Sequence, residues 1–213
     1  MKIALLGAES TGKSDLGKQL TEHFLVQKKS VQHIPEYLRA WCDLHQRTPR
    51  QEEQLNIATE QIRQIKTAPA CDVLIADTTP LMVAVYSDFI FGDGSLYDMA
   101  LNFQRGFDMT LLMGLDIPWV ADGIQRDGPH VREPVDSKIR AALEHGGIPF
   151  QVVYGADEAR LQHALRCLKT ASEDLELQHK LQNQPQKLRN WVCERCSDPE
   201  CEHRLFQDLL NKS

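Results

Sequence analysis

Residues 3–6 form an apolar run ending at Gly7, and Leu16, Leu20 and Phe24 then recur every four positions. That order predicts a strand, a loop and a helix. Residues 31–35 read as a second strand. Thr48-Pro49-Arg50-Gln51 has the form of a capping box with proline at the first helical position, and Leu55, Ala58, Ile62 and Ile65 give the helix that follows a buried stripe. This helix is expected to stop near Pro69. Residues 73–76 are apolar and closed by Asp77, and after a longer helical or irregular stretch residues 109–113 repeat the buried-strand pattern. Val135, Ile139 and Leu143 mark a helix ended by Gly146, and residues 150–154 a last strand. Leu161, Leu165 and Leu168 form the inner face of a final helix with Asp157 near its start.

Five strands alternating with helices predict an α/β fold: a mostly parallel five-stranded sheet, covered on both faces and joined by right-handed crossovers. Beyond residue 170 the chain turns polar and Gln-rich, with only a sparse Leu177, Leu181, Leu188 stripe. The expected division is a domain over 1–170 and a small C-terminal extension over 171–213.

Composition changes this picture little. The chain has 213 residues, 42% hydrophobic and 25% charged, which is enough to bury a substantial core. A formal charge of −6 supplies no global basic field for nucleic acid or an anionic membrane, so any bound anion needs a local site. No apolar run approaches the roughly 18 to 20 residues of a spanning helix, and the N-terminus lacks a signal-peptide pattern. A cytoplasmic protein without membrane or nucleic-acid partners is expected; Cys42, Cys71 and Cys167, scattered singly, fit a reducing compartment.

The local site is legible at Gly7-Ala8-Glu9-Ser10-Thr11-Gly12-Lys13-Ser14, which meets the pattern G-x-x-x-x-G-K-[ST]. Such a phosphate loop wraps backbone N–H groups of residues 7–14, including Glu9, Ser10 and Thr11, around nucleotide phosphates at a helix N-terminus. Lys13 would reach the outer phosphates, facing solvent until they bind, and Ser14 would hold Mg²⁺. The pattern arises by chance in about one chain in a hundred of this length. Its position between a strand and a helix makes the functional reading the better one.

Three further groups suggest phosphoryl transfer to a small molecule. Asp77 ends an apolar strand, where a carboxylate can address Mg²⁺ or an attacking hydroxyl, or can simply cap the next turn. Arg126 and Arg132 lie in a glycine-hinged segment between strand and helix that could close as a lid and neutralise charge on a transferring phosphoryl group, or could be solvated. Glu36, Tyr37, Arg39 and Trp41 follow the second strand; a carboxylate there could accept sugar hydroxyls and an aromatic could stack on a base, or the aromatics could face a core.

The phosphate loop, Glu36-Tyr37-x-Arg39, Gln61, Asp77-Thr78 and Trp119-Val120-Ala121-Asp122-Gly123 together resemble the nicotinamide riboside kinase domain of bacterial NadR proteins and related P-loop ATPase-like domains, over residues 1 to about 170. The resemblance implies a P-loop three-layer sandwich in which ATP phosphorylates the ribose 5′-hydroxyl of nicotinamide riboside. Lys13 and Ser14 would hold ATP and Mg²⁺, and Asp77 would act as hydroxyl base or metal orienter. Glu36, Tyr37, Arg39, Gln61 and Asp77 would line the acceptor pocket, and Arg126 and Arg132 would serve the lid. The adenylyltransferase and DNA-binding parts of the fuller NadR architecture are expected to be absent. A kinase for another nucleoside or metabolite, and a nucleotide-dependent switch with a partner-binding tail, are the alternatives.

In the extension, Cys193, Cys196, Cys201 and His203 supply three thiolates and an imidazole within eleven residues, donors that suit tetrahedral Zn²⁺. Reduced surface thiols, or a disulfide or redox role, are the other readings.

Overall fold

The computed structural model describes residues 1–121 and 128–182, with side chains as far as residue 170. The chain divides into two compact units, Met1–Lys169 and Thr170–Ser213, and the account below concerns the first. Five strands, β1 (Lys2–Leu6), β2 (Val31–Ile34), β3 (Val73–Asp77), β4 (Met109–Met113) and β5 (Gln151–Val153), form one parallel sheet in the order β2-β3-β1-β4-β5. Helices α1 (Lys13–Val26), α2 (Tyr37–His45), α3 (Gln54–Lys66), α4 (Pro80–Phe91), α5 (Tyr97–Gln104), α6 (Arg132–His145) and α7 (Asp157–Gln182) fill the connections.

β1 takes the centre because residues 3–6 are wholly buried, as a strand covered on both faces requires. Alternation divides its side chains. Leu5 points toward α1, where a methyl group added at Gly17 would meet its Cδ1 at 3.4 Å. Leu6 points the other way, into a core with Leu112, Ile57 and Ala58 of α3, Leu81 and Ala84 of α4, Leu101 of α5 and Ile139 and Leu143 of α6. The Leu16, Leu20 and Phe24 stripe of α1 is buried as its spacing predicts.

Helix α3 departs from the sequence reading. A 3-10 turn over Gln51–Glu53 precedes it, and the Glu53 carboxylate accepts the Arg50 amide at 2.8 Å, so the cap sits two residues later than Thr48/Gln51. The buried face is accordingly Gln54, Ile57, Ala58, Gln61 and Ile65, leaving Leu55 52% exposed and Ile62 half-buried. In α7 the buried positions are Arg160, Ala164 and Leu168, with Leu161 and Leu165 only half-buried.

The strands' carboxyl ends share one edge of the sheet, and the order reverses at β1, between β3 and β4. Ligands of open α/β sheets bind at such a switch point. A buried relay runs from the end of β3 to β4: the Thr79 hydroxyl donates to Gln104 Oε1 at 2.6 Å, and Gln104 Nε2 donates to the Thr110 hydroxyl at 2.9 Å. Among the described residues, no helix is long and apolar enough to cross a membrane.

Candidate functional site: the phosphate loop and its surroundings

Residues 7–12 leave β1 in a tight wrap. Gly7 has φ +152°, and a Cβ there would lie 2.9 Å from both Met113 Cβ and Thr11 Oγ1, so only glycine fits. Gly12, at φ +76°, turns the chain into α1, and the Thr11 hydroxyl closes the loop by donating to the Ala8 carbonyl at 2.7 Å. Lys13 Nζ does not face solvent. It folds onto the loop, donating to the Gly7 and Ala8 carbonyls at 2.7 and 2.9 Å. Ser14 is half-buried in the first turn of α1.

The connection from β4 to α6 packs on this loop. The carboxylate of Glu9, 8% exposed, accepts the Trp119 indole N–H and the Gly128 amide through Oε1, each at 2.9 Å. Ser10 Oγ accepts the Val120 amide at 2.8 Å. Arg126 lies outside the described residues. Arg132, the first residue of α6, is buried rather than solvated at 8% exposure. Its Nη1 donates to the Ile117 carbonyl at 2.9 Å, while Nε and Nη2 are buried and, among the described residues, have no hydrogen-bond partner. A guanidinium in that condition is costly unless an anion completes it.

Asp77 ends β3 opposite Leu5 of β1, two residues before the loop begins. It is 3% exposed, and among the described residues its Oδ1 has no hydrogen-bond partner. Capping of α4 falls to Thr79, whose hydroxyl accepts the Leu81 amide at 3.3 Å, so the turn-capping alternative for Asp77 has another occupant. Thr78 between them holds φ +89°, which is strained for a β-branched residue, and its buried hydroxyl is also unpartnered. His33 of β2 lies on the same sheet face two register steps back. Its Nε2 is buried and unpartnered against Gly17, and burial lowers its pKa, with nearby Asp77 opposing and Lys18 reinforcing.

At the end of β2, Gln61 is buried and committed to backbone: its Oε1 accepts the Tyr37 amide at 2.7 Å and its Nε2 donates to the Pro35 carbonyl at 3.2 Å. Glu36 and Arg39 form an ion pair at 3.0 Å. Tyr37 and Trp41 are half-buried against the core, as the core-facing alternative anticipates, and the Trp41 ring is stacked by His45 at 4.0 Å with Arg47 over it at 4.9 Å.

Two residues outside the sequence reading complete the surroundings. Arg160, 3% exposed, donates through Nη1 to the Thr11 carbonyl, through Nε to Gly155 O and through Nη2 to Asp116 Oδ1, the last two at 2.6 Å. Asp116 Oδ2 accepts the Gly155 amide at 2.6 Å. No motif flags either residue, since Asp116 follows β4 and Arg160 stands in the first turn of α7, 44 positions later. Cys193, Cys196, Cys201 and His203 lie outside the described residues, and among the described residues no group of three His, Cys, Asp or Glu side chains is placed to hold a metal ion.

Residues 2–160 match the model of a family described as an AAA domain. The fold is shared with a NadR protein in complex with NR (TM-score 0.62, 15% identity, covering 80% of this chain and 50% of that one). It is shared also with thymidylate kinase from Ehrlichia chaffeensis (0.57, 16%, 80% and 97%) and deoxyadenosine kinase from M. mycoides (0.53, 18%, 81% and 100%). The chain thus spans about half the length of the NadR structure. No curated protein matches it in sequence.

Proposed function

Since this chain belongs to the AAA domain family, we propose that it is an ATP-dependent small-molecule kinase, with the ribose 5′-hydroxyl of nicotinamide riboside as acceptor and nicotinamide mononucleotide as product. The observation that carries the reading is the coincidence, around one phosphate loop, of a folded-back Lys13, a buried Arg132 with two unpartnered nitrogens and a buried Asp77 with an orphaned oxygen. Opposite charges left incomplete on one sheet edge suit a ligand that carries both an anionic phosphate chain and a hydroxyl proton.

In this reading Lys13 leaves the Gly7 and Ala8 carbonyls to bind the outer phosphates, with backbone amides of residues 7–14 around them. Ser14 and Asp77 offer the hard oxygen donors that fit Mg²⁺, which would screen the phosphate charge. Asp77 Oδ1 takes the acceptor hydroxyl's proton as the oxygen–phosphorus bond forms and the bond to the leaving ADP breaks. Arg132, with Arg126 from the segment outside the described residues, neutralises charge on the transferring group. Glu36, Tyr37 and Arg39 line the acceptor side. Gln61 serves it indirectly, by fixing the 35–37 backbone.

A kinase for another nucleoside or nucleotide is the second reading, favoured by the full-length fold shared with deoxyadenosine kinase. Incubating the protein with Mg-ATP and a panel of nucleosides, with product masses as readout, decides the acceptor. Nicotinamide riboside should gain one phosphoryl group fastest, and no gain over a reaction without enzyme would refute that assignment. We assign the Cys193, Cys196, Cys201 and His203 cluster to one structural zinc, which metal analysis of protein purified without chelator would refute by finding none.

A further inference from the structure

Arg160 is nine-tenths or more buried and uses all three of its nitrogens on three segments: the phosphate loop at Thr11, the β5 turn at Gly155 and the β4 turn at Asp116. It lies directly over Gly12, where an added Cβ would stand 3.4 Å from its Nη1 and 3.4 Å from Ile117 Cδ1. The same β4 turn holds both arginines, Asp116 through its carboxylate to Arg160 and Ile117 through its carbonyl to Arg132. Asp116 pairs with Arg160, while among the described residues Arg132 has no carboxylate partner. Burial and the neighbouring charge of Arg132 both lower the pKa of Arg160, against the pull of Asp116.

We infer that Arg160 is a positioning residue for the nucleotide's phosphates: oriented by Asp116, it fixes the Thr11 carbonyl from behind the phosphate loop and so holds the loop backbone in the shape that receives a phosphate chain. The inference rests on the reading of residues 7–14 as a nucleotide site. A lysine cannot replace Arg160, because its single ammonium cannot span three acceptors in the planar fork that guanidinium provides. A neutral asparagine at 116 keeps an oxygen for the Gly155 amide but loses the charge that aligns Arg160.

The test is Mg-ADP binding by calorimetry to wild type, Arg160→Lys, Asp116→Asn and the double variant, each first checked for native circular dichroism and melting temperature. The expected dissociation constants rise at least about tenfold for Arg160→Lys and at least about threefold for Asp116→Asn, with the double variant no weaker than Arg160→Lys alone, because Asp116 acts through Arg160. A purely structural Arg160 would lower the melting temperature and leave the constant of the folded protein unchanged. Values within twofold of wild type in either folded variant, or losses that add in the double variant, overturn the inference. If Arg160→Lys does not fold, the constant of Asp116→Asn alone decides. Failure of the wild type to bind Mg-ADP would instead refute the nucleotide site itself.

Discussion

Trp119 and Glu9, 110 residues apart in the chain, are joined by an indole N–H donated to a buried carboxylate at 2.9 Å, and the same oxygen accepts the Gly128 amide. One side chain of the phosphate loop therefore holds both flanks of the connection that leads to Arg132. Glu9→Ala leaves two donors without their acceptor and should destabilise the protein by about 2 kcal/mol, since an unpaired buried group costs about 1–3 kcal/mol. Glu9→Gln, which keeps an acceptor oxygen, should cost less. Urea unfolding followed by tryptophan emission measures both, and an Ala variant as stable as wild type would deny the contact any weight.

Asp77→Asn should lower kcat by far more than it weakens nucleotide binding if, as proposed, the unpartnered Oδ1 takes the proton that moves during transfer. The variant should fold normally, as Thr79 and not Asp77 caps α4. Loss of folding stability with a normal kcat in the folded fraction would assign Asp77 to structure.

Arg132→Ala should reduce kcat at least about a hundredfold, equivalent to roughly 2.7 kcal/mol of barrier. The buried, half-satisfied guanidinium is also costly to the fold without ligand, so the Ala variant should be no less stable than wild type in the absence of nucleotide. A near-normal rate would remove Arg132 from the transfer step.

His33 gives the fold an acid sensitivity. Its folded pKa lies below the ordinary 6.5, so the unfolded imidazole takes up a proton at a pH where the buried one does not. The stability it contributes is complete above that ordinary value and is lost as pH falls from there toward the folded pKa. Melting temperatures at about pH 7.5 and about pH 5.5 should differ less for His33→Gln than for wild type. Equal differences would mean that His33 does not titrate within this window.

Strands and helices were legible where burial is one-sided or complete, as in the Leu16, Leu20, Phe24 stripe and the apolar run 109–113. α3 was misread because two buried glutamines, Gln54 and Gln61, occupy positions that a hydrophobic count awards to leucine and isoleucine. Gln61 is buried because its amide satisfies the 35–37 backbone, a tertiary fact that periodicity cannot carry.

The phosphate loop announced itself because its chemistry requires fixed spacing within eight residues. Arg160 and Asp116, 44 positions apart, did not, since their partnership depends on the first turn of α7 meeting the turn after β4 in space. The resting place of Lys13 was equally hidden: carbonyls of its own loop, at 2.7 and 2.9 Å, take the place of the solvent that the sequence suggested.

The central claim is that Lys13 and its loop bind a nucleotide whose terminal phosphoryl group is passed to a nucleoside. The most direct measurement follows ATP labelled in its γ-phosphate, with Mg²⁺ and nicotinamide riboside, in wild type and in Lys13→Ala. The account predicts label in the nucleoside product with wild type, matched by ADP one for one, and none with a folded Lys13→Ala protein. Transfer by Lys13→Ala at the wild-type rate, or label released by wild type only as free phosphate whatever nucleoside is present, would contradict it.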